Sequence, residues 1–128
     1  MVDAFVGKFV VEKRENFDGF MKGIGVPEEY VEKARNAEVK TEISKNGDVI
    51  TVTRIRPIKT TTNSFSFGKE SEVENIKGEK MKVVVNYEGG KIVSRGDNYE
   101  VTQEMDGGRL KEVITLKGHT MTRYSKRQ

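Results

Sequence analysis

Glycine recurs in turn-like settings along most of this chain, and no other feature constrains the fold as strongly. The settings are Asn46-Gly47-Asp48, Phe67-Gly68-Lys69, Lys77-Gly78-Glu79, Glu88-Gly89-Gly90, Asp106-Gly107-Gly108 and Lys117-Gly118-His119, mostly about ten residues apart. Glycine reaches positive φ without a steric penalty, so each of these sites predicts a tight turn. Turns at this spacing, separated by segments that alternate apolar and polar residues, are typical of an all-β meander.

The segments between the turns alternate with a period of two. In the segment from Ala37 to Ser44, Val39, Thr41 and Ile43 share one face, and the segment from Lys80 to Tyr87 alternates in the same way. One solvent-exposed face on each strand indicates antiparallel pairing. About ten strands are predicted, beginning with a short one around Phe5 to Val11, and so many short strands need closure because open sheets leave edges.

The segment from Asn16 to Asn36 departs from this pattern and reads as two short helices. Its apolar residues recur at helical spacing: Phe17, Phe20, Met21, Ile24, Tyr30, Val31 and Ala34. Asn16 is predicted to cap the first helix, Gly23 and Gly25 to end it, and Pro27 to occupy the first position of the second helix. The sequence therefore predicts a helical pair inserted between the first and second strands.

Composition limits the function classes that are open to this chain. Its 128 residues are expected to form a single domain over residues 1–128. The absence of cysteine excludes a disulfide scaffold and thiolate metal sites, and the single histidine, His119, has no second imidazole with which to hold a metal ion. The beginning of the chain shows neither a signal peptide nor a membrane span, which predicts a cytosolic protein.

Charge and hydropathy point to an unusual interior. The net charge of +3 arises from 23 basic and 20 acidic residues spread along the chain, which is a modest basic bias and not a nucleic-acid-binding stripe. Hydrophobic residues make up only 34% of the chain. A β domain with so few apolar residues has either a thin core or an interior that is partly polar.

The alternation places polar residues on the inward faces of several predicted strands. These residues are Thr41, Arg54, Arg56, Gln103, Glu112, Arg123 and Ser125. Arginine and glutamate are rarely buried unpaired, and an inward guanidinium without a matching carboxylate can bind an anionic head group. Glu112 could pair with one arginine but could not neutralise three. Pro57 favours local irregularity, so alternation leaves open whether Arg54 and Arg56 point inward or outward.

Several short segments, taken together and in this order, match a known family. They are Ala4-Phe5-Val6-Gly7-Lys8-Phe9, Asn16-Phe17-Asp18-Gly19-Phe20-Met21-Lys22, Glu32-Lys33-Ala34-Arg35-Asn36, Asn46-Gly47-Asp48, Asn63-Ser64-Phe65-Ser66-Phe67-Gly68-Lys69-Glu70, Glu88-Gly89-Gly90-Lys91 and Thr122-Arg123-Tyr124-Ser125-Lys126-Arg127. The chain resembles the intracellular lipid-binding proteins, also called fatty-acid-binding proteins. Its ending is similar to the liver-type, liver-basic and ileal bile-acid-binding branch, because Ser125 stands where other branches usually carry tyrosine.

The resemblance implies a ten-stranded antiparallel up-and-down β-barrel, or β-clam, with a helix-turn-helix lid between the first two strands. It also implies a water-filled cavity for one or two amphipathic carboxylates, with Arg123 binding the carboxylate. Gln103 stands where many members carry a second inward arginine, which puts a two-arginine head-group site in doubt. The predicted ligand-binding residues are Arg123, Ser125, Gln103, Glu112, Arg54, Arg56, Thr41 and Met121. The predicted portal residues are Phe17, Met21, Tyr30, Val31 and Ile58.

The leading hypothesis is a monomeric, non-catalytic carrier of fatty acids or bile acids in the cytosol, without a cofactor. Basic residues near the helices are predicted to touch anionic membrane surfaces during transfer: Lys22, Lys33, Arg35 and Lys59. The alternatives are a retinoid or other hydrophobic ligand, a small barrel enzyme with a Ser125-His119 pairing, and a nucleic-acid-binding barrel with exposed aromatics on a basic face. A secreted lipocalin is less well supported, because a signal peptide and cysteines are absent.

Overall fold

The computed structural model describes residues 2–57 and 59–128. The elements in this part of the chain are a 3-10 helix at Val2–Phe5, β1 (Gly7–Glu15), α1 (Phe17–Gly23), α2 (Glu28–Arg35), β2 (Lys40–Asn46), β3 (Val49–Ile55), β4 (Thr60–Phe65), β5 (Glu70–Glu74), β6 (Lys80–Glu88), β7 (Lys91–Gly96), β8 (Tyr99–Asp106), β9 (Arg109–Leu116) and β10 (His119–Arg127). None of these helices is long and apolar enough to cross a lipid bilayer.

The ten strands of the described residues form one antiparallel sheet in the order β4-β3-β2-β1-β10-β9-β8-β7-β6-β5. Strands that follow one another in the chain therefore pair with each other, except for β4 and β5. The first strand, β1, also pairs with the last strand, β10. The sheet curls into a nearly closed barrel, with α1 and α2 covering one end. The predicted ten-stranded up-and-down barrel with a helical lid between its first two strands is confirmed.

The turn glycines adopt the conformation that the sequence predicts. Gly107, between β8 and β9, has φ of 59°, and Gly118, between β9 and β10, has φ of 82°. A residue with a Cβ atom is strained in this region, so glycine allows these strand pairs to reverse direction within a few residues. Gly47, Gly78, Gly89, Gly107 and Gly118 each lie between two strands that pair with each other. Gly68 instead lies between β4 and β5, which form no ladder in the described part of the chain.

Some predicted boundaries and caps need correction. The first strand does not start at Phe5, because the chain there forms a 3-10 helix and Phe5 is buried; β1 begins at Gly7 and continues to Glu15. Asn16 occupies the N-cap position of α1, but its side chain makes no cap hydrogen bond and instead donates to the Thr120 carbonyl oxygen at 2.7 Å. Pro27 lies at the N-cap of α2, one residue before the predicted position, with ψ of 143° that is not helical.

Two hydrophobic clusters occupy opposite ends of the barrel and leave its middle polar. The lid cluster joins α1 and α2 to the strands, and its buried members are Phe20, Met21, Ile24, Val31, Val101, Ile114, Leu116 and Met121. The base cluster fills the other end with Phe5, Phe9, Ile43, Ile50, Val52, Phe65, Val73, Val83, Val85, Ile92 and Leu110. The inward polar residues Thr41, Gln103, Glu112 and Arg123 belong to neither cluster.

The two edge strands, β4 and β5, meet at a seam that side chains close. In the described part of the chain these strands have no backbone ladder with each other. The side-chain amide of Asn63 spans the seam: its Nδ2 donates to the Glu74 carbonyl oxygen at 3.1 Å, and its Oδ1 accepts from the Glu74 amide at 2.9 Å. One side chain therefore makes the two hydrogen bonds that a backbone neighbour would otherwise supply.

Candidate functional site

A large cavity lies between the helical lid and the open end of the barrel, and we refer to it as the lid cavity. Its volume is about 660 Å³, within the range of roughly 300–1,000 Å³ that is usual for small-molecule sites. Its apolar lining consists of Phe17, Met21, Val26, Pro27, Tyr30, Ala34, Ala37, Val39, Pro57 and Ile76. This lining suits the apolar body of a lipid-sized molecule.

The charges on the wall of the lid cavity are strongly unequal. Among the described residues, six basic side chains line it and only one acidic side chain does. The basic residues are Arg14, Lys33, Arg56, Lys59, Lys77 and Arg123, and the acidic residue is Glu74. The cavity therefore combines an apolar surface with an excess of positive charge, and this combination favours an anionic amphipathic occupant.

A second, smaller cavity lies deeper in the barrel, and we refer to it as the inner cavity. Its volume is about 80 Å³, which admits several water molecules but not a lipid. Arg56, Glu74, Ile76 and Arg123 line both cavities, so they form the boundary between them. Arg54 and Gln103 line only the inner cavity.

An ion cluster formed by Arg54, Glu112 and Arg123 spans the lumen of the barrel. Arg54 approaches the Glu112 carboxylate with both terminal nitrogens: Nη1 donates to Oε1 at 3.1 Å, and Nη2 pairs with Oε2. Arg123 donates from Nε to Oε1 at 3.2 Å. Glu112 therefore pairs with two arginines, one more than the sequence analysis considered. The carboxylate has acceptor sites for two guanidinium groups because each oxygen carries two lone pairs.

Neighbouring strands hold this ion cluster in register. Gln103, Glu112 and Arg123 lie directly opposite one another on β8, β9 and β10, and Gln103 Nε2 donates to Glu112 Oε2 at 2.8 Å. Thr41 lies opposite Arg54 on β2 and accepts from Arg54 Nη1 at 2.8 Å. Each charged side chain thus has a polar neighbour on an adjacent strand, which satisfies groups that would otherwise be buried unpaired.

The pKa values of the ion cluster follow from burial and mutual attraction. Burial alone raises the pKa of Glu112, but the positive charges of Arg54 and Arg123 outweigh it and lower that pKa to about 2. Burial, followed by repulsion from Arg54, lowers the pKa of Arg123 to about 10 in spite of the attraction of Glu112. At neutral pH the cluster carries two positive charges and one negative charge.

Arg56 also points into the barrel, which answers the question that alternation left open for Arg54 and Arg56. Its Nη2 donates to Thr61 Oγ1 at 2.7 Å, while its buried Nε has no hydrogen-bond partner among the described residues. Burial and the charge of Arg54 lower the pKa of Arg56 against the weaker attraction of Glu74. Glu74 itself pairs with Lys59. Among the described residues, Arg56 is therefore the one inward arginine of the three that makes no ion pair, since Arg54 and Arg123 both pair with Glu112.

Arg14 is a cavity residue that the sequence reasoning missed. A register shift between Val11 and Lys13 inserts one extra residue into β1, so Arg14, and not Lys13, lies opposite the inward Arg123. Arg14 donates from Nη1 to the Arg35 carbonyl oxygen at 3.2 Å and from Nη2 to that of Ala37 at 3.1 Å. Strict alternation predicts the opposite orientation, and a bulge leaves no clear signal in a single sequence.

Glu74 and Asn63 at the seam, together with Thr61, were also missed. These three residues lie on the edge strands β4 and β5 and line the inner cavity. Thr61 Oγ1 donates to Glu74 Oε2 at 3.3 Å, which adds a second contact across the seam. In sequence, the threonine-rich β4 and the glutamate-rich β5 both resemble exposed strands. Hydropathy therefore gave no reason to place these residues at a cavity.

The remaining predicted site residues occupy two kinds of position. Thr41, Glu112, Ser125 and Met121 are buried but line neither cavity, and Ser125 Oγ has no hydrogen-bond partner among the described residues. Of the predicted portal residues, Phe17, Met21 and Tyr30 line the lid cavity, whereas Val31 is fully buried in the lid cluster. The predicted portal residue Ile58 lies outside the described residues.

The structure gives little support to a barrel enzyme with a Ser125-His119 pairing or to a nucleic-acid-binding barrel. His119 and Ser125 are six residues apart on β10, a separation of about 20 Å along a strand, and Ser125 is buried whereas His119 is exposed. Tyr30 is the one aromatic among the large exposed hydrophobic side chains of the described residues. A single-strand nucleic-acid surface needs several stacking platforms.

Comparisons with known proteins agree with the architecture over nearly the whole chain. The model of the lipocalin / cytosolic fatty-acid binding protein family matches residues 3–128. Gastrotropin of Oryctolagus cuniculus is 45% identical over 125 residues, which are 97% of this chain and 98% of that protein. Fatty acid binding protein 1-B.1 of Danio rerio is 37% identical over 125 residues, again 97% and 98% of the two chains. Zebrafish ileal bile acid-binding protein in complex with cholic acid superposes with a TM-score of 0.87 at 38% identity, covering 98% of this chain and 99% of that chain.

Proposed function

This chain belongs to the lipocalin and cytosolic fatty-acid binding protein family, and we propose that it is an intracellular carrier of fatty acids or bile acids. The single observation that supports this function most directly is the lid cavity, about 660 Å³ in volume with six basic side chains and one acidic side chain on its wall. An amphipathic carboxylate fits this cavity because it combines an apolar body with a negative charge.

The relatives support the same class of ligand. The zebrafish ileal bile acid-binding protein was solved with cholic acid, and the Danio rerio relative is named a fatty acid binding protein. Both are similar to this chain over nearly its full length. They favour a carboxylate with a large apolar body, either a steroid or an acyl chain.

Burial of the ligand's apolar body supplies most of the affinity in this proposal. Removing about 300 Å² of apolar surface from water contributes about 7 kcal/mol, before the loss of ligand freedom is subtracted. The basic wall adds attraction for the carboxylate and orients it. No step of this function requires a cofactor or a bond-breaking reaction.

Within this proposal the predicted site residues have two roles. Arg56 and Arg123 lie at the boundary of the two cavities and face the ligand, while Arg54 and Gln103 face the inner cavity. Thr41 and Glu112 hold these side chains in place, and Met121 and Ser125 complete the buried wall. Phe17, Met21 and Tyr30 form the side of the lid cavity nearest the helices, where a ligand would enter.

Direct binding measurements test the proposal. Palmitate and cholate should each displace a fluorescent fatty-acid analogue from the protein, and hexadecanol should bind about tenfold or more weakly than palmitate because it lacks the charge. Isothermal titration at physiological salt would measure these affinities, with a single-stranded oligonucleotide as the control ligand. Absence of binding by both carboxylates, or tighter binding of the oligonucleotide, would contradict the proposed function.

We further propose that the protein acts as a cytosolic monomer and that its lid touches anionic membranes during transfer. Lys22, Lys33, Arg35 and Lys59 lie on or beside the lid and are exposed. Arg35 Nε donates to Asp18 Oδ1 at 3.1 Å, Lys59 pairs with Glu74, and Lys22 pairs with Glu28 at 3.6 Å. Lys22 lies on α1 and does not line the lid cavity, which makes it the cleaner residue to change.

The membrane proposal predicts a change in rate without a change in affinity. Lys22→Glu should slow ligand transfer to anionic phosphatidylserine vesicles by roughly fivefold or more, since each cation near such a surface contributes about 1 kcal/mol. Lys91→Glu is the matched control, because Lys91 is also an exposed, ion-paired lysine but begins β7 at the other end of the barrel. Equal rates of ligand transfer for the two variants would show that the lid does not contact the membrane during transfer.

A further inference from the structure

We propose that Arg54, paired with Glu112, forms a partition across the barrel that sets how deep a ligand can enter, and that this partition limits the length of acyl chain that the protein buries. The proposal rests on the function stated above and identifies a residue that selects among apolar ligands. It concerns the depth of the site and does not depend on which group binds the ligand's carboxylate.

The two charged residues of the partition interrupt the apolar inward faces of their strands. Along β3, Arg54 is the next inward residue after Val52 of the base cluster. Along β9, Glu112 lies between Leu110 of the base cluster and Ile114 of the lid cluster. On both strands, therefore, the base cluster ends where the charged residue begins.

The Arg54–Glu112 pair crosses the lumen, because β3 and β9 are separated in the sheet by β2, β1 and β10. Both terminal nitrogens of Arg54 contact the Glu112 carboxylate. Arg54 Nη1 also donates to Thr41 Oγ1 on β2 at 2.8 Å, and Glu112 Oε2 accepts from Gln103 Nε2 on β8 at 2.8 Å. Since each end of the pair is held by a neighbouring strand, the pair is a fixed obstacle in the lumen.

The sizes of the two cavities agree with an obstacle at this level. The lid cavity has a volume of about 660 Å³, whereas the inner cavity, which Arg54 lines, has only about 80 Å³. Beyond them the base cluster is closely packed, with Phe9 and Leu110 fully buried. Most of a bound ligand must therefore lie in the lid cavity.

A longer ligand gains too little to displace Arg54. Each additional methylene group that is buried raises the affinity about fourfold. Moving Arg54 away would remove one of the two arginines that balance Glu112, which is completely buried, and such a loss is far larger than the gain from one methylene group. Chains longer than the lid cavity should therefore leave their extra methylene groups outside it, where they add little affinity.

The experiment measures the affinities of saturated fatty acids from octanoate to octadecanoate by isothermal titration. In the native protein the affinity should rise about fourfold per methylene group for the short acids and level off before octadecanoate. Arg54→Ala should move this levelling to longer chains, because it joins the inner cavity to the lid cavity. The ratio of the octadecanoate affinity to the decanoate affinity should then be about tenfold or more above the native ratio. All acids of the series share the carboxylate, so the ratio reports on the apolar chain.

Two control variants separate the volume of Arg54 from its charge and from its strand. Arg54→Met keeps a long side chain in the lumen without the charge, so its affinity ratio should stay closer to the native ratio than to that of Arg54→Ala. Thr53→Ala changes the adjacent residue of β3, whose hydroxyl group is hydrogen-bonded to that of Thr62 outside the lumen at 3.3 Å. The affinity ratio of Thr53→Ala should stay within roughly threefold of the native ratio.

A second measurement needs no variant and therefore applies even if Arg54→Ala folds poorly. In the native protein, nuclear Overhauser effects should connect the chain of bound palmitate with Val26 and Ile76, which line the lid cavity. None should connect it with Ile43 or Leu110 of the base cluster.

Four results would overturn the partition. They are a native affinity that keeps rising about fourfold per methylene group up to octadecanoate, an Arg54→Ala ratio less than tenfold above the native ratio, a ratio as high in Arg54→Met or Thr53→Ala as in Arg54→Ala, and contacts between palmitate and the base cluster. In each case the native protein still binds fatty acids, so the proposed function survives. Binding of cholate without binding of any acid of the series would also remove the partition but not the carrier function. If the native protein binds neither palmitate nor cholate, both proposals fail.

Discussion

Glu112→Gln is expected to lower the free energy of unfolding by about 3–5 kcal/mol at pH 7, the usual effect of removing one partner from a buried ion pair. The glutamine would retain the shape of the side chain but leave Arg54 and Arg123 without a counter-charge inside the barrel. Urea unfolding followed by circular dichroism measures this difference. Glu104→Gln is a matched control, since Glu104 lies on the adjacent strand β8 and pairs with lysines at the surface; such exposed pairs contribute about 1 kcal/mol or less.

Acid should diminish the difference between the native protein and Glu112→Gln. The pKa of Glu112 is depressed from its ordinary value of 4.5 to about 2 in the folded state. A depressed carboxyl pKa stabilises the fold fully above the unfolded value and loses that stabilisation as pH falls through the folded value. The two proteins should therefore converge in stability as the pH falls from 5 towards 2. A constant difference between pH 7 and pH 3 would show that the charge of Glu112 is not what stabilises the barrel.

Phe20→Ala is expected to destabilise the protein by about 3–5 kcal/mol, because it leaves a large cavity where α1 packs on the barrel. Phe20 is fully buried in the lid cluster with Ile24, Leu116 and Met121. The expected loss is measurable by urea unfolding, and hydrogen exchange in α1 should accelerate more than in β10. This variant tests whether the lid is anchored through the lid cluster.

Phe17→Ala provides the comparison on the same helix. Phe17 is only partly buried and lines the lid cavity, so its loss should lower the stability by about 1–2 kcal/mol while weakening ligand binding. Similar destabilisation by the two variants would mean that the lid is held mainly through the cavity wall and not through the lid cluster.

The sequence predicts the elements well because their signals are local. A glycine such as Gly118 can be recognised from its neighbours, and the strand faces follow from a period of two. The inward position of Glu112 follows from the same alternation along β9. The two helices of the lid are predicted equally well, because apolar residues such as Phe20, Ile24 and Val31 recur at helical spacing.

The parts that sequence reasoning missed depend on contacts between distant strands. Arg54 and Glu112 are 58 positions apart and meet across the lumen, so neither strand alone indicates that they are partners. The orientation of Arg14 depends on one inserted residue in β1, and shifting a strand by one residue exchanges its two faces. Local patterning therefore identifies inward residues only where a strand has no bulge or irregularity, and the pairing among them follows from the closed barrel.

The Asn63 bridge has a further consequence for how the protein behaves at high concentration. A sheet with two free edges is a template for strand addition by another molecule, and such addition is a common route to aggregation. Here the two edges face each other, and the backbone amide and carbonyl of Glu74, which an incoming strand would need, are both held by Asn63. The seam thus protects the molecule from edge-to-edge polymerisation without the rigidity of a complete backbone ladder.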